Sequence, residues 1–136
     1  DLEKALRHLI ERGLTDSLVI LGLHGKRTDH TLTNLSVLVR FRDQFKSVIS
    51  IDQYQSHYLL TEKHPSFTAR GQEGNRISTT PLPAVSGVTT KGLFYPLEDE
   101  SMSFGHLEGL SNIIAADIAT VSISSGSLLI SLAHKS

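Results

Sequence analysis

"SLVILGLHGKRTDHTLTNL", residues 17–35, decides how the chain is read. Ser17 to Leu23 is a continuous apolar run between turn residues, the pattern of a strand buried on both faces in a helix-covered parallel sheet. A glycine–basic–acidic turn follows. After it, "DHTLTNLSVLVRF" brings Leu32, Leu35, Leu38 and Val39 onto one stripe, with Thr28 or Asp29 near the cap. Upstream, "DLEKALRHLIERGLTD" places Leu2, Ala5, Leu6, Leu9 and Ile10 on one helical face, and Gly13 supplies the stop. The order is helix, buried strand, helix.

From Ser47 the texture changes. "SVISIDQ", "SHYLLTE", "SFTAR", "NRISTTPL", "GVTTKGLFYPL", "ATVSISS" and "SLLISLAH" are short and rich in β-branched residues, with Gly, Pro, Asn and acidic turns between them. They predict an antiparallel sandwich over 47–136, preceded by the C-terminal part of an α/β domain over 1–46. A parallel strand needs neighbours reached through helical crossovers, and the later strands show none. The partners of Leu18–Leu23 are therefore expected in chain before Asp1 or in a second copy.

The composition narrows the function. The 136 residues are 39% hydrophobic and 20% charged, with a formal net charge of −1. This lacks the basic excess of proteins that grip nucleic acid or anionic membranes. There is no cysteine, which fits a reducing, cytoplasmic setting. No apolar run is long enough to span a bilayer. The seven histidines show no HxH or HExxH spacing, so spacing predicts no zinc site.

"GLHGKR", residues 22–27, is not a Walker A loop: two residues separate its glycines, and Lys26 precedes Arg27 rather than Ser or Thr. A strand–glycine turn–helix still offers backbone N–H groups and a helix start to an anion. Arg27 could grip phosphate oxygens, and Asp29 could hold Mg²⁺ or orient a hydroxyl nucleophile. The plain alternative is an Arg27–Asp29 surface pair with Asp29 as a cap. In "KGLFYPLEDESMSFGHLEGLSN", residues 91–112, Phe94, Tyr95 and Phe104 read as sandwich core. Ser111 and Asn112 after Gly109 read as a turn, or as polar groups projecting into a pocket.

Three stretches, "DLEKAL" (1–6), "GLHGKRTDHTLTNL" (22–35) and "GVTTKGLFYPLEDESMSFGHLEGLSN" (87–112), with "ATVSISSGSLLI" (119–130) behind them, resemble the thiamine pyrophosphokinase family. The resemblance implies the C-terminal part of an α/β, Rossmann-like nucleotide-binding domain over 1–46 followed by an antiparallel β-sandwich over 47–136, working as a homodimer. It implies transfer of the pyrophosphoryl group of ATP, with Mg²⁺, to the hydroxyl of thiamine, releasing AMP. By position, it assigns Asp1 and Asp29 to the metal and Arg27 and Asp29 to catalysis. Asp1, Gly25, Arg27 and His30 fall to the nucleotide, and Ser111 and Asn112 to thiamine. The family's acidic Gly-Asp-x-Asp-Ser stretch, and the threonine before Asp1, are not among these residues. The tryptophan that often packs on thiamine is absent as well. Chain is therefore expected before Asp1, and the 136 residues alone are expected to make no thiamine diphosphate. The rival expectation is a non-catalytic ligand-binding or dimerisation module built on the sandwich.

Overall fold

The computed structural model describes residues 1–106 and 110–135. Helix α1 (Leu2–Glu11) starts at Asp1, whose Oδ1 accepts from the Lys4 N–H at 2.8 Å and caps the first turn. Strand β1 (Ser17–Leu21) follows, then helix α2 (Thr28–Phe41), a 3₁₀ turn (Arg42–Gln44) and strand β2 (Ser47–Ile51). The remaining strands are β3 (Gln55–Leu60), β4 (Ser66–Arg70), β5 (Arg76–Lys91), β6 (Glu100–Ser103), β7 (Asn112–Ile113), β8 (Ile118–Ser122) and β9 (Ser125–Ala133). The described residues are mostly β, with two α-helices.

Hydrogen bonding runs in the order β1-β2-β3-β9-β5-β8-β4, with β6 and β7 paired to β5. Here the structure corrects the expected isolation of the first strand. β1 pairs in parallel with β2, in register from Ser17↔Ser47 to Leu21↔Ile51. The physical reason is that α2 is itself the crossover connection a parallel pair requires. The expectation of two buried faces also fails. Ile20 is buried against the helices, while Val19 and Leu21 on the other face are 57% and 74% exposed. One face is covered and one is open, so a seemingly continuous apolar run resolves into a strand with period two.

Two further expectations are redrawn. "NRISTTPL" and the start of "GVTTKGLFYPL" are one 16-residue strand, β5, whose pairing with β9 shifts register between Pro81 and Val85. Its earlier half pairs with β9 and its end, Thr89–Lys91, with β8. The irregularity lets one strand serve both sides of a bent sheet. The short strands β6 and β7 carry too few residues to show an alternation in the sequence.

Two hydrophobic cores result. One joins α1 and α2 to the sheet through Leu6, Ile20, Leu23, Val37, Leu38, Phe41, Phe45, Val48, Leu59 and Leu129. The other fills the bent sheet, with Ile77, Val88, Val121, Leu128 and Ile130 at its centre. Leu128, Leu129 and Ile130 are consecutive on β9 and bury alternately into the second, first and second core. Outside the cores, Arg40 on α2 pairs with Glu3 on α1.

The bend at β5 depends on Gly126. Its φ is +88°, and a Cβ there would lie 2.2 Å from the Ala84 carbonyl oxygen and 2.8 Å from Val85 Cα. Gly22, after β1, has φ +76° with open space around it. Gly22→Ala is expected to cost about 1–2 kcal/mol for left-handed backbone alone. Gly126→Ala should cost clearly more, because backbone must move as well. Urea denaturation of the two variants side by side checks the order.

Candidate active site

The glycine turn is held from the helix it precedes. Gly25 N–H donates to Thr31 Oγ1 at 3.2 Å, and Thr31 Oγ1 in turn donates to the Arg27 carbonyl at 3.2 Å. Asn34 Nδ2 donates to the Leu23 carbonyl at 3.1 Å. Both side chains lie on α2, so the turn and the helix start move as one body. Gly25 thus spends its N–H inside the turn.

Arg27 occupies the N-cap position of α2 without a side-chain cap bond, and Asp29 lies in the first helical turn. Their side chains meet in a two-pronged pair: Arg27 Nε donates to Asp29 Oδ1 at 3.2 Å and Nη2 to Oδ2 at 2.6 Å. The hydrogen bond from Arg27 holds the Asp29 carboxyl below its ordinary range. Both side chains are about two-thirds exposed, at 67% and 64%, so a ligand can reach them. Close by, Asp1 and His30 line one cavity of about 390 Å³ together with Ile20, Gly22, Leu23 and Asn34. Asp1, from the cap of α1, is thereby brought beside the start of α2.

Ser111 and Asn112 stand elsewhere, on β5's flank. Gly109, which precedes them, lies outside the described residues. Ser111 is exposed at φ +57°, and its N–H donates to Ser78 Oγ at 2.9 Å. Asn112 is buried, and both its amide oxygen and its amide nitrogen are hydrogen-bonded. Oδ1 accepts from the N–H groups of Tyr95 (3.1 Å) and Ile113 (2.9 Å), while Nδ2 donates to the Tyr95 carbonyl at 2.7 Å. The side chain pins the segment that carries Phe94 and Tyr95. Those two rings, with Phe104, were expected in the core; instead they are exposed, at 65%, 70% and 63%. They sit in turns between short strands, where neither sheet face can cover them.

The sequence reading passed over a third cluster. His24, inside the glycine turn, stacks at a tilt on His57 of β3, with ring centroids 4.2 Å apart. His57 is buried between Ser131 Oγ (2.9 Å from Nδ1) and Asp52 Oδ2 (2.8 Å from Nε2). Burial opposes ionisation of Asp52. The hydrogen bonds from His57 and from the N–H groups of Tyr54 and Gln55 outweigh it and bring the pKa to about 2. Burial, reinforced by His57, lowers the pKa of His24. Three separate elements contribute, so no sequence spacing could reveal the group.

The fold is shared with solved structures. Thiamine pyrophosphokinase from Bacillus subtilis matches at a TM-score of 0.82 with 24% identity, over 100% of this chain and 63% of that one. Thiamin pyrophosphokinase from Candida albicans matches at 0.73 with 15% identity, over 88% of this chain and 44% of that one. Sequence carries the likeness further. Residues 1–50 match the family model "Thiamin pyrophosphokinase, catalytic domain", and residues 56–130 match "Thiamin pyrophosphokinase, vitamin B1 binding domain". Thiamine pyrophosphokinase 3 of Oryza sativa subsp. japonica is 33% identical over 100% of this chain and 54% of its own length. Thiamine pyrophosphokinase 1 of the same plant is 37% identical over 83% of this chain and 42% of its own length. The chain belongs to the thiamine pyrophosphokinase family. It spans about half the length of the curated relatives it matches.

The half-buried Asp52 makes stability depend on acid. Its pKa falls from the usual 3.8 to about 2 on folding. The unfolded chain therefore binds a proton that the folded chain refuses, and stability rises with pH across that interval. The contribution is complete above about pH 4 and is lost as pH falls through about 2. Asp52→Asn should flatten the dependence of thermal midpoint on pH over this window; equal slopes for both proteins would place the acid sensitivity elsewhere.

Proposed function

We propose that this chain carries the phosphate-handling turn and the thiamine-binding part of a thiamine pyrophosphokinase, which moves the pyrophosphoryl group of ATP to the hydroxyl of thiamine and releases AMP. The observation that carries the reading is the Arg27–Asp29 pair at the start of α2, directly after a glycine turn that the helix holds in place. Pyrophosphoryl transfer asks a protein chiefly to position reactants and to offset developing negative charge. Arg27 supplies a planar, permanently charged fork for phosphate oxygens. Asp29, kept ionised by Arg27, either orients the attacking hydroxyl or serves the metal. His30 and Asp1 flank the cavity beside them and complete the nucleotide site in this reading.

Mg²⁺ is the metal the reaction calls for. It binds through one or two carboxylates plus phosphate oxygens, and the hard oxygen donors of Asp1 and Asp29 fit that habit. These two residues would hold it. When bound, it neutralises phosphate charge.

Thiamine is assigned to the region of Ser111 and Asn112. Support comes from the exposed rings of Phe94 and Tyr95, which offer flat apolar surface for an aromatic cation. Asn112 acts there as a positioning residue through Tyr95, and Ser111 presents its hydroxyl to solvent. A homodimer working in the cytoplasm completes the proposal. Among the described residues no helix is long and apolar enough to cross a membrane.

The test uses the intact protein that contains these residues. With ATP, Mg²⁺ and thiamine it should release AMP and thiamine diphosphate in equal amounts. Arg27→Ala should lower kcat by roughly 10²- to 10⁵-fold with little change in the KM for thiamine. Near wild-type turnover would reduce Arg27 to a surface cation. Thiamine binding without AMP release would point to a binding module instead.

Asn112→Ala should weaken thiamine binding by about 1 kcal/mol or more, since the Tyr95 backbone loses its partners. ATP binding should stay as it was. Calorimetry that found thiamine affinity unchanged would remove this pair from the site.

A further inference from the structure

We propose that His24, Asp52 and His57 form a binding site for a divalent transition-metal ion of the zinc class, at the C-terminal ends of β1 and β2. The site is separate in its donors from the Mg²⁺ site above and does not depend on the phosphoryl-transfer reading.

Each of the three residues offers a ligand atom, and these atoms all lie within 4.8 Å of one another. Tetrahedral zinc with bonds of about 2.0–2.1 Å needs its ligand atoms about 3.4 Å apart, so small side-chain rotations close the site. The donors are two imidazoles and one carboxylate. That set suits zinc and its neighbours in the first transition row and does not suit Mg²⁺, which takes oxygen. Three protein ligands leave a fourth position open.

Two details mark the cluster as more than a buried histidine with its acid. First, Nε2 of His24 is buried and has no hydrogen-bond partner among the described residues. A buried nitrogen left unpaired is costly, and a metal ion would satisfy the ring. Second, His57 has its outer partner already in place. Ser131 Oγ lies 2.9 Å from Nδ1, and a hydroxyl can either donate or accept. With Asp52 ionised and Nε2 protonated, Ser131 donates to Nδ1. When a metal takes Nε2, the ring's one hydrogen moves to Nδ1 as the imidazole changes tautomer, and the Ser131 hydroxyl turns to accept it. Metal-binding histidines are regularly oriented in this way by a second partner.

The ligands tie together the loop after β1, the turn after β2, and β3. The metal would therefore clamp the glycine turn, through His24, to the strand that leads into the bent sheet.

The experiment titrates the purified chain with Zn²⁺ and, separately, with Co²⁺. Wild type should take up one equivalent of Zn²⁺, raise its thermal midpoint, and give the intense visible bands of tetrahedral Co²⁺. Excess Mg²⁺ should not compete. His24→Gln, at a half-buried position that tolerates the change, should fold as judged by circular dichroism and lose the stoichiometric uptake. Ser131→Ala should bind about 10- to 100-fold more weakly. No stoichiometric uptake by wild type overturns the proposal. So does uptake that survives His24→Gln, because the metal would then sit on other histidines.

Discussion

The structure depends on β9 being buried from both sides. Leu129 fills the core beneath the helices, while Leu128, Ile130 and Leu132 fill the core of the bent sheet. Its backbone is bonded to β3 along one edge and β5 along the other. A strand so placed must be apolar at nearly every position, and "SLLISLA" is. β3 repeats the device with Leu59 and Leu60 facing opposite cores. The helical part and the bent sheet are thus neighbours across shared strands.

That arrangement also sets where chemistry can occur. β1 and β2 run in parallel and end on the same side, so the loops that leave them, one carrying His24 and Arg27 and the other Asp52, emerge together. Loops at the C-terminal ends of parallel strands are where open α/β sheets place their ligands. α2 then fixes one of these loops through Thr31 and Asn34. The aromatic segment beside Asn112 is fixed in a different way, by a buried amide that takes up the backbone of Tyr95. In each case a polar side chain from a regular element freezes an irregular one.

How much of this could be read from the chain follows from range. The helices were legible because their stripes repeat locally, and the Arg27–Asp29 pair because its partners are two residues apart. The pairing of β1 with β2 was not, since it required recognising α2 as a crossover rather than as the end of a unit. The two strands merged into β5 looked separate because Pro81 and Pro83 resemble a turn, whereas the register shift there accommodates them. Phe94 and Tyr95 were misjudged for a similar reason: apolarity suggests burial, and only the fold tells which apolar residues lie beyond the sheet. The His24–Asp52–His57 group lay beyond reach altogether, because His57 is ordered by Ser131, 74 positions away.

The central position of β9 has a consequence for how the protein is made. β9 is the last strand of the sheet in chain order, yet it lies between β3 and β5 in space. During synthesis, α1, α2 and the strands up to β8 leave the ribosome with a gap where Leu128–Leu132 will fit. Neither core can close until that segment has emerged. Closure of both cores is therefore coupled to the entry of one strand between two others, a pairing of high sequence separation. Until then the open edges of β3 and β5 are the surfaces a chaperone must shield.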